Sequence, residues 1–442
     1  MPIVDVSTAQ QLLDAISSAQ PGDEIVLADG TYALTGASCN TAGASDAPIK
    51  VRAANRRMAH IRMDAVEGFK VNAPYWTFEG LDIEGVCADD NKCEHAFHVA
   101  GAAHHFVLRD SRVRDFNAQL KVNASMVNGV MTAPDAGLIE GNDIGDTRGR
   151  NTGNPVTKLN IDTGDDWIIR GNYLHDAHKL LDNQVSYVAF LKSGGKRGLV
   201  ERNLVICAKD DPTGGTRIGL SFGGGGTGNQ FCAPAYDASV PCTTEHYDGV
   251  MRNNIIVNCS DVGIYLNESA NTKLLYNTLV ATAGIDFRFA TSTGEAVGNV
   301  LAGQIRNREG ATGTKANNLE MVPASMFTSW YADPMNGDLS VTGDVSSLVG
   351  AGPARTDVVD DYCARTRPPN MVTLGAVEHS LGACSTTTPP GDDAGIGVHD
   401  DVVTSPTDPG GCCDTSGNAR TSSLLLAALV AMLSSRRRAR TS

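Results

Sequence analysis

The sequence predicts an all-β fold: a right-handed parallel β-helix with a short N-terminal capping helix. Three observations carry this. The 442 residues include 47 Gly, with 5% aromatic and 19% charged residues, so turn formers abound, as in all-β repeat proteins. A mark of the form apolar-x-x-x-(Asn or small)-x-apolar recurs at Leu81, Ser111, Asn142, Asn172, Asn203, Asn254, Asn277 and Asn299, at intervals of 30, 31, 30, 31, 51, 23 and 22 residues. Such a period indicates stacked coils, and the one long interval indicates a loop inserted between them. Each of the seven marks from Ser111 onward also follows a second short alternating segment: FHVAG, LKVNA, KLNID, AFLKS, IGLSF, GIYLN or IDFRF. Two or three strands per coil favour a β-helix over a propeller, whose blades need about 40 residues or more.

In chain order, residues 5–19 carry apolar residues at helical spacing, with Ser7 or Thr8 available as N-cap, and predict the helix that plugs the first coil. The strand-and-turn segment EIVLADGTYAL follows. The asparagines at the repeat mark read as a structural amide ladder, repeating at about 4.8 Å. The domain organisation expected is a capping helix at 1–22, a β-helix at 23–350, a closing segment at 351–384 ending on an LGAVE strand, a linker at 385–411 and a C-terminal tail at 412–442.

The net charge of −14 argues against nucleic-acid or anionic-membrane binding, since both need a basic surface. An anionic partner would then require a local basic groove. Eleven cysteines suggest an oxidising compartment. Cys87 with Cys93, and Cys232 with Cys242, have spacings that suit loop-closing disulfides, and Cys363 with Cys384 would staple the C-terminal cap. The N-terminal segment lacks the basic and apolar regions of a secretory signal, so either export is not used or the true start lies further upstream.

The tail runs through a Thr, Pro, Asp and Gly-rich linker to Cys412 and Cys413, an apolar run at Leu424–Leu433, and Arg436, Arg437, Arg438 and Arg440. Ten apolar residues fall short of the roughly 20 that a spanning helix needs. The order of parts resembles the C-terminal sorting tag of myxobacterial surface proteins. That resemblance implies tail removal and attachment at the cell surface or outer membrane through lipid on Cys412 or Cys413. A tail anchor or an amphiphilic tail is the alternative.

Period-2 alternation sends one residue set outward along the second strands: His98, Lys121, Asn123, Asn160, Asp162, Phe190, Lys192, Gly219, Ser221, Tyr265, Asn267, Asp286 and Arg288. This polar stripe, about 30 Å long, suits a polysaccharide, with His98, Asn160, Ser221, Tyr265 and Asn267 as candidate substrate contacts. Lys192 is expected to point at solvent beside a glycine-rich floor. His104, His105, His175 and His178 fall in turns and read as solvated.

The repeat, PIKVRA at Pro48–Ala53 and KSGGKRGLVERNLV from Lys192 resemble the pectate lyase-like β-helix superfamily, closest to its chondroitinase B and alginate lyase branch. The resemblance implies that Lys192 is the base removing the proton α to a uronate carboxylate. It also implies an arginine on the next coil, where this chain has Gly223. Arg217 and Arg288 are the candidates to replace it, and Lys196 and Arg197 are further cations near the lysine.

β-Elimination needs a carboxylate neutraliser, a base and a proton for the leaving oxygen. A lysine acts as base near neutral pH only if its pKa falls by about 3 units, about 4 kcal/mol in favour of the neutral form. Ca²⁺ is the candidate cofactor for the carboxylate, with Asp162, Asp165 and Asp166 as candidate ligands; a simple turn is the alternative for Asp165 and Asp166. Glu245 and His246 close the long insertion, where they are an overhanging acid or ordinary loop residues. A hydrolase would need two carboxylates flanking one bond, and register places only Asp162. The expectation is an exported carbohydrate-active protein acting on a uronate polymer by β-elimination, monomeric, touching membrane only through its tail. A non-catalytic glycan-binding or structural surface protein is the alternative.

Overall fold

The computed structural model describes residues 2–224, 232–237, 240 and 242–386. Its body is the parallel β-helix, and each coil gives one strand to each of three sheets. The coil around the long insertion shows the pattern. Leu199–Glu201 lies in the first, 12-stranded sheet, Leu204–Ile206 in the second and Thr216–Phe222 in the third, both 10-stranded. The chain then re-enters the first sheet at Val250–Arg252, in parallel register with Leu199–Glu201.

The inward residues stack into one continuous core that includes Phe69, Trp76, Phe78, Phe97 and Phe106, each fully buried. Strands buried on one face and packed edge to edge leave few backbone groups unpaired, so closure of the coil depends on the corner between the first two sheets. The repeat asparagines satisfy that corner. Asn142 Oδ1 accepts from Ser111 N at 3.0 Å, and the same bond recurs from Asn142 to Asn172, Asn172 to Asn203, Asn203 to Asn254, Asn254 to Asn277 and Asn277 to Asn299. Asn318 adds a further rung beyond the sequence marks.

The N-terminus differs from expectation. Ile3–Val6 is a strand, in register with Glu24–Leu27 at the edge of the first sheet, and the helix is confined to Ala9–Ser18. The alternating β-branched segment IVDV finds a partner in EIVL and pairs instead of coiling. Thr8 is the N-cap, accepting from Gln11 N, and Leu12 and Ile16 are buried against the first coil.

The last strand of the stack is Thr312–Ala316. The chain then folds back along the second sheet: Phe327, Trp330, Tyr331, Leu348 and Tyr362 cover Leu204, Ile206, Ile255, Val257, Val280 and Val300. The LGAVE segment is buried here but forms no strand. Glu378 accepts from Thr373 N at 2.8 Å and pairs with Arg367 at 3.2 Å, so a local turn replaces a ladder. The disulfides Cys87–Cys93, Cys232–Cys242 and Cys363–Cys384 are formed, together with Cys207–Cys259, while Cys39 is free and buried. Cys412 and Cys413 lie outside the described residues. Among the described residues, no helix is long and apolar enough to cross a membrane.

Candidate active site on the third sheet

Seven consecutive strands of the third sheet carry the polar stripe, from His95–Ala100 through Val185–Lys192 to Gly284–Arg288. Parallel register aligns its members across strands. Asn123 is opposite Asp162, which is opposite Lys192; Lys121 is opposite Asn160, which is opposite Phe190; and Phe190 is opposite Ser221, which is opposite Tyr265.

This register brings two lysines onto one carboxylate. Lys121 Nζ lies 2.8 Å from Asp162 Oδ2 and 3.0 Å from Asn160 Oδ1, and Lys192 Nζ lies 3.6 Å from the same Asp162 oxygen. Ser193 Oγ donates to the other Asp162 oxygen. Lys192 also sits over the Phe190 ring at 4.8 Å. Burial raises the Asp162 pKa, but Lys121 and then Lys192 outweigh it and hold the carboxyl below its ordinary range. Burial lowers the Lys121 pKa; Asp162 opposes this and the charge of Lys192 adds to it.

Lys192 faces outward, as its alternation requires, but it is covered: only 8% of its surface is exposed. Solvent exposure fails because lateral neighbours in a stack lie only about 4.8 Å away and pair side chain to side chain. The same closure buries Asn160, Ser221, Tyr265 and Asn267. The insertion contributes as well. Ala233 N donates to Ser193 O, Gly194 N donates to Glu245 O, and the buried Glu245 carboxylate lies 3.4 Å from Ser193 N. Asp162 and Glu245 therefore both reach Ser193, so register alone had placed one carboxylate too few. His246 is fully buried and stacks on Phe222 with centroids 4.2 Å apart.

The glycine-rich floor has two distinct members. Gly223 has φ +76°, and a Cβ there would stand 1.8 Å from the Asn267 carbonyl oxygen; no side chain fits without moving backbone. A Cβ at Gly224 would stand 3.1 Å from Lys192 Cδ and 3.5 Å from the Phe190 ring, so the backbone here packs directly against the lysine and a side chain would press on it.

The two arginines are placed apart from the lysines. Arg217 pairs with Ser186, six residues before Lys192, or about 20 Å along the strand. Its guanidinium, 2% exposed, bonds to the Cys207 and Thr213 carbonyls and lies 3.7 Å from Asp211. Arg288 is three strands from Lys192, about 14 Å, donating to Tyr265 Oη at 2.8 Å and Glu309 at 2.9 Å. Asp165 and Asp166 lie in the turn after Asp162, where Arg197 binds both, at 3.1 and 2.6 Å. His98 bonds to Glu67 Oε1 at 2.9 Å and to Asn123 Oδ1 at 3.2 Å. His175 and His178, read as solvated, are held in the fold: His175 lies between Asp143 and Asp176, and His178 is 3% exposed against Asp211.

Sequence reasoning put Lys121 on the correct face but missed its part in the cluster. The signal was available: Asn123 and Asp162 end equivalent strands, which sets Lys121 diagonal to Asp162 and within reach of a long side chain. Glu67 and His95 were missed too. The donor atoms of Glu67, His95 and His98 lie within 4.8 Å of one another, a grouping able to hold a metal ion. A cavity of about 710 Å³ opens between the N-terminal helix and the Thr35–Thr41 segment, edged by Glu67 and Lys70, and Lys192 is not among its lining residues.

The chain matches no protein-family model and no curated protein. Solved structures do resemble it. Pectate lyase Pel9A superposes with a TM-score of 0.53 at 14% identity, covering 83% of this chain and 90% of that one. A rhamnogalacturonan lyase gives 0.52 at 13% identity, covering 78% and 92%. An alginate lyase from Paenibacillus sp. str. FPU-7 covers 72% of this chain and 99% of its own at 16% identity, with a TM-score of 0.39, too loose a superposition to bear on function. At these identities the likeness is one of fold: the chain is a pectate-lyase-like parallel β-helix.

Proposed function

We propose that this protein is an exported, surface-held carbohydrate-active β-helix that binds an anionic polysaccharide along the third sheet and cleaves it by β-elimination. The observation that carries the reading is the convergence of Lys121 and Lys192 on Asp162. Lys192 is the base and Lys121 the cation that meets the uronate carboxylate. The neutral Lys192 amine takes the proton α to the carboxylate, the C–H electron pair becomes the new C=C bond, and the glycosidic C–O bond breaks. Lys192, now protonated, hands that proton to the departing oxygen. Keeping a lysine neutral needs about 4 kcal/mol. Burial lowers the pKa of the neighbouring Lys121.

Further support comes from charge. On a chain of net charge −14, this sheet carries Lys70, Lys121, Lys192, Arg288, Arg306 and Arg308, spread over five of nine neighbouring strands. A polyanion would find a local basic track there. Tyr187, Phe190 and Tyr265 cluster between the lysines and arginines and offer ring faces to sugar. The fold likeness to polysaccharide lyases agrees with this reading, and four disulfides fit an oxidising compartment. Ca²⁺ near Asp162, Asp165 and Asp166 remains a proposal of the same reading, competing with Arg197 for the last two.

A non-catalytic glycan-binding role is the second reading, favoured by the covered Lys192 and by the absence of room for a side chain at Gly223. One assay separates them. The purified protein is incubated with alginate, pectate and glycosaminoglycans, with and without Ca²⁺, beside Lys192→Ala, while ultraviolet absorbance of unsaturated uronate is followed. Product from the wild type but not from the variant supports elimination; glycan retention by both without product supports binding.

A further inference from the structure

We propose that Glu67, His95 and His98 form a binding site for a divalent transition-metal ion of the zinc class, separate from the lysine cluster. His95 and His98 are carried by the strand His95–Ala100, and Glu67 is the lateral register partner of His95 on the neighbouring strand. One donor atom from each lies within 4.8 Å of the other two. Donors around a tetrahedral Zn²⁺ stand about 3–3.5 Å apart, given bonds of roughly 2.0–2.2 Å, so the three donors would have to draw closer together on binding.

A second observation points to a ligand. His95 Nδ1 is buried and has no hydrogen-bond partner. A buried imidazole nitrogen left unpaired is costly, and a cation bound through Nδ1 would satisfy it. The surroundings are also arranged as around a metal-binding histidine. His98 Nε2 lies 3.2 Å from Asn123 Oδ1, an acceptor that would fix Nε2 as the protonated nitrogen and leave Nδ1 free to coordinate. Nδ1 is the atom that faces Glu67 Oε1, at 2.9 Å.

The donor set selects the metal. Two imidazoles with one carboxylate suit Zn²⁺ and its neighbours, whereas Ca²⁺ needs six or more oxygens. The nearby cations leave the donors accessible. Lys70 takes the other Glu67 oxygen, Oε2, at 2.8 Å, and Lys121 is drawn away to Asp162. Three protein ligands leave a fourth position open, and Glu67 borders the 710 Å³ cavity beside the N-terminal helix.

The test uses the full chain, freed of any histidine tag and stripped with chelator, titrated calorimetrically with ZnCl₂ and with CaCl₂. Visible absorption of the Co²⁺-loaded protein reports nitrogen ligation. One equivalent of Zn²⁺, weakened at least 10-fold in His95→Ala and in Glu67→Gln, is expected, with no comparable Ca²⁺ heat. His98→Gln guards against misfolding, because an amide preserves polar contacts to Glu67 and Asn123. Cys412→Ser with Cys413→Ser guards against thiol binding in the tail. Zn²⁺ affinity unchanged by His95→Ala or His98→Gln, or lost only with the two cysteines, would overturn the site. The readout is metal binding, so it stands or falls independently of lyase activity.

Discussion

At Asp162 a single carboxylate holds Lys121, Lys192 and Ser193 together, and removing its charge tests the whole cluster. Asp162→Asn keeps the shape but takes the shared carboxylate charge away from Lys121 and Lys192. Loss of most uronate-releasing activity is expected, with Lys121→Ala giving a smaller fall than Lys192→Ala; steady-state rates on the preferred polymer check both. His246 is another residue with consequences of its own. Burial against Phe222 drives its pKa from 6.5 down to about 3, so the unfolded chain takes up the proton first as pH falls. Its contribution is complete above about pH 6.5 and is lost progressively towards pH 3, up to a few kcal/mol. Neither ring nitrogen has a partner, so His246→Phe should shallow this acid limb when melting temperature is followed between pH 7 and 4. His175 has the opposite sign. Burial lowers its pKa, but the bonds to Asp143 and Asp176 win and raise it to about 9. Stability from His175 is therefore full below about pH 6.5 and lost as pH rises through about 9, a decline that His175→Gln should remove.

The asparagine ladder and the glycine strand are properties of elements. Asn203 Oδ1 accepts from Asn172 N, while its Nδ2 donates to the carbonyls of Ile169 and Glu201 and to Asn254 Oδ1. Asn203→Ala leaves the buried Asn172 N–H without this acceptor and takes one donor from each of those oxygens, at about 1–3 kcal/mol for each group left uncompensated. Asn254 Oδ1 keeps Asn203 N, and the Glu201 carbonyl keeps Gly171 N. Denaturant melts should show a loss of several kcal/mol, more than for an exposed asparagine such as Asn55. Gly223→Ala meets the Asn267 carbonyl at 1.8 Å with φ +76°; it should destabilise the third sheet, and no arginine placed there should raise activity. Gly224→Ala is milder, since only the end of Lys192 and one ring stand in its way, and it should change activity more than stability.

At the scale of the whole molecule, coils stack with nothing but neighbours to hold them, so long-range links matter. Cys207–Cys259 spans 52 residues of sequence and joins coils on either side of the long insertion. By restricting the unfolded chain, such a link contributes about 2–5 kcal/mol; Cys207→Ala with Cys259→Ala should lower the denaturation midpoint accordingly. The C-terminal return over the second sheet is the other long-range link, and it shields aliphatic strands that would otherwise face water.

The period of the repeat was enough to determine the β-helix, the asparagine corner and the face that carries the polar stripe, because all three depend on local alternation and spacing. Three disulfides were also legible from short separations. The sequence could not show that Lys121 and Lys192 share Asp162, that Arg217 points away, that Glu245 comes back to Ser193, or that Glu67 meets two histidines. Each of these is a lateral relation between coils, fixed by parallel register and by the path of the insertion. Alternation reveals which face a side chain takes; only the stacked structure decides which neighbours, a strand spacing away, it meets there and whether they leave it open to water.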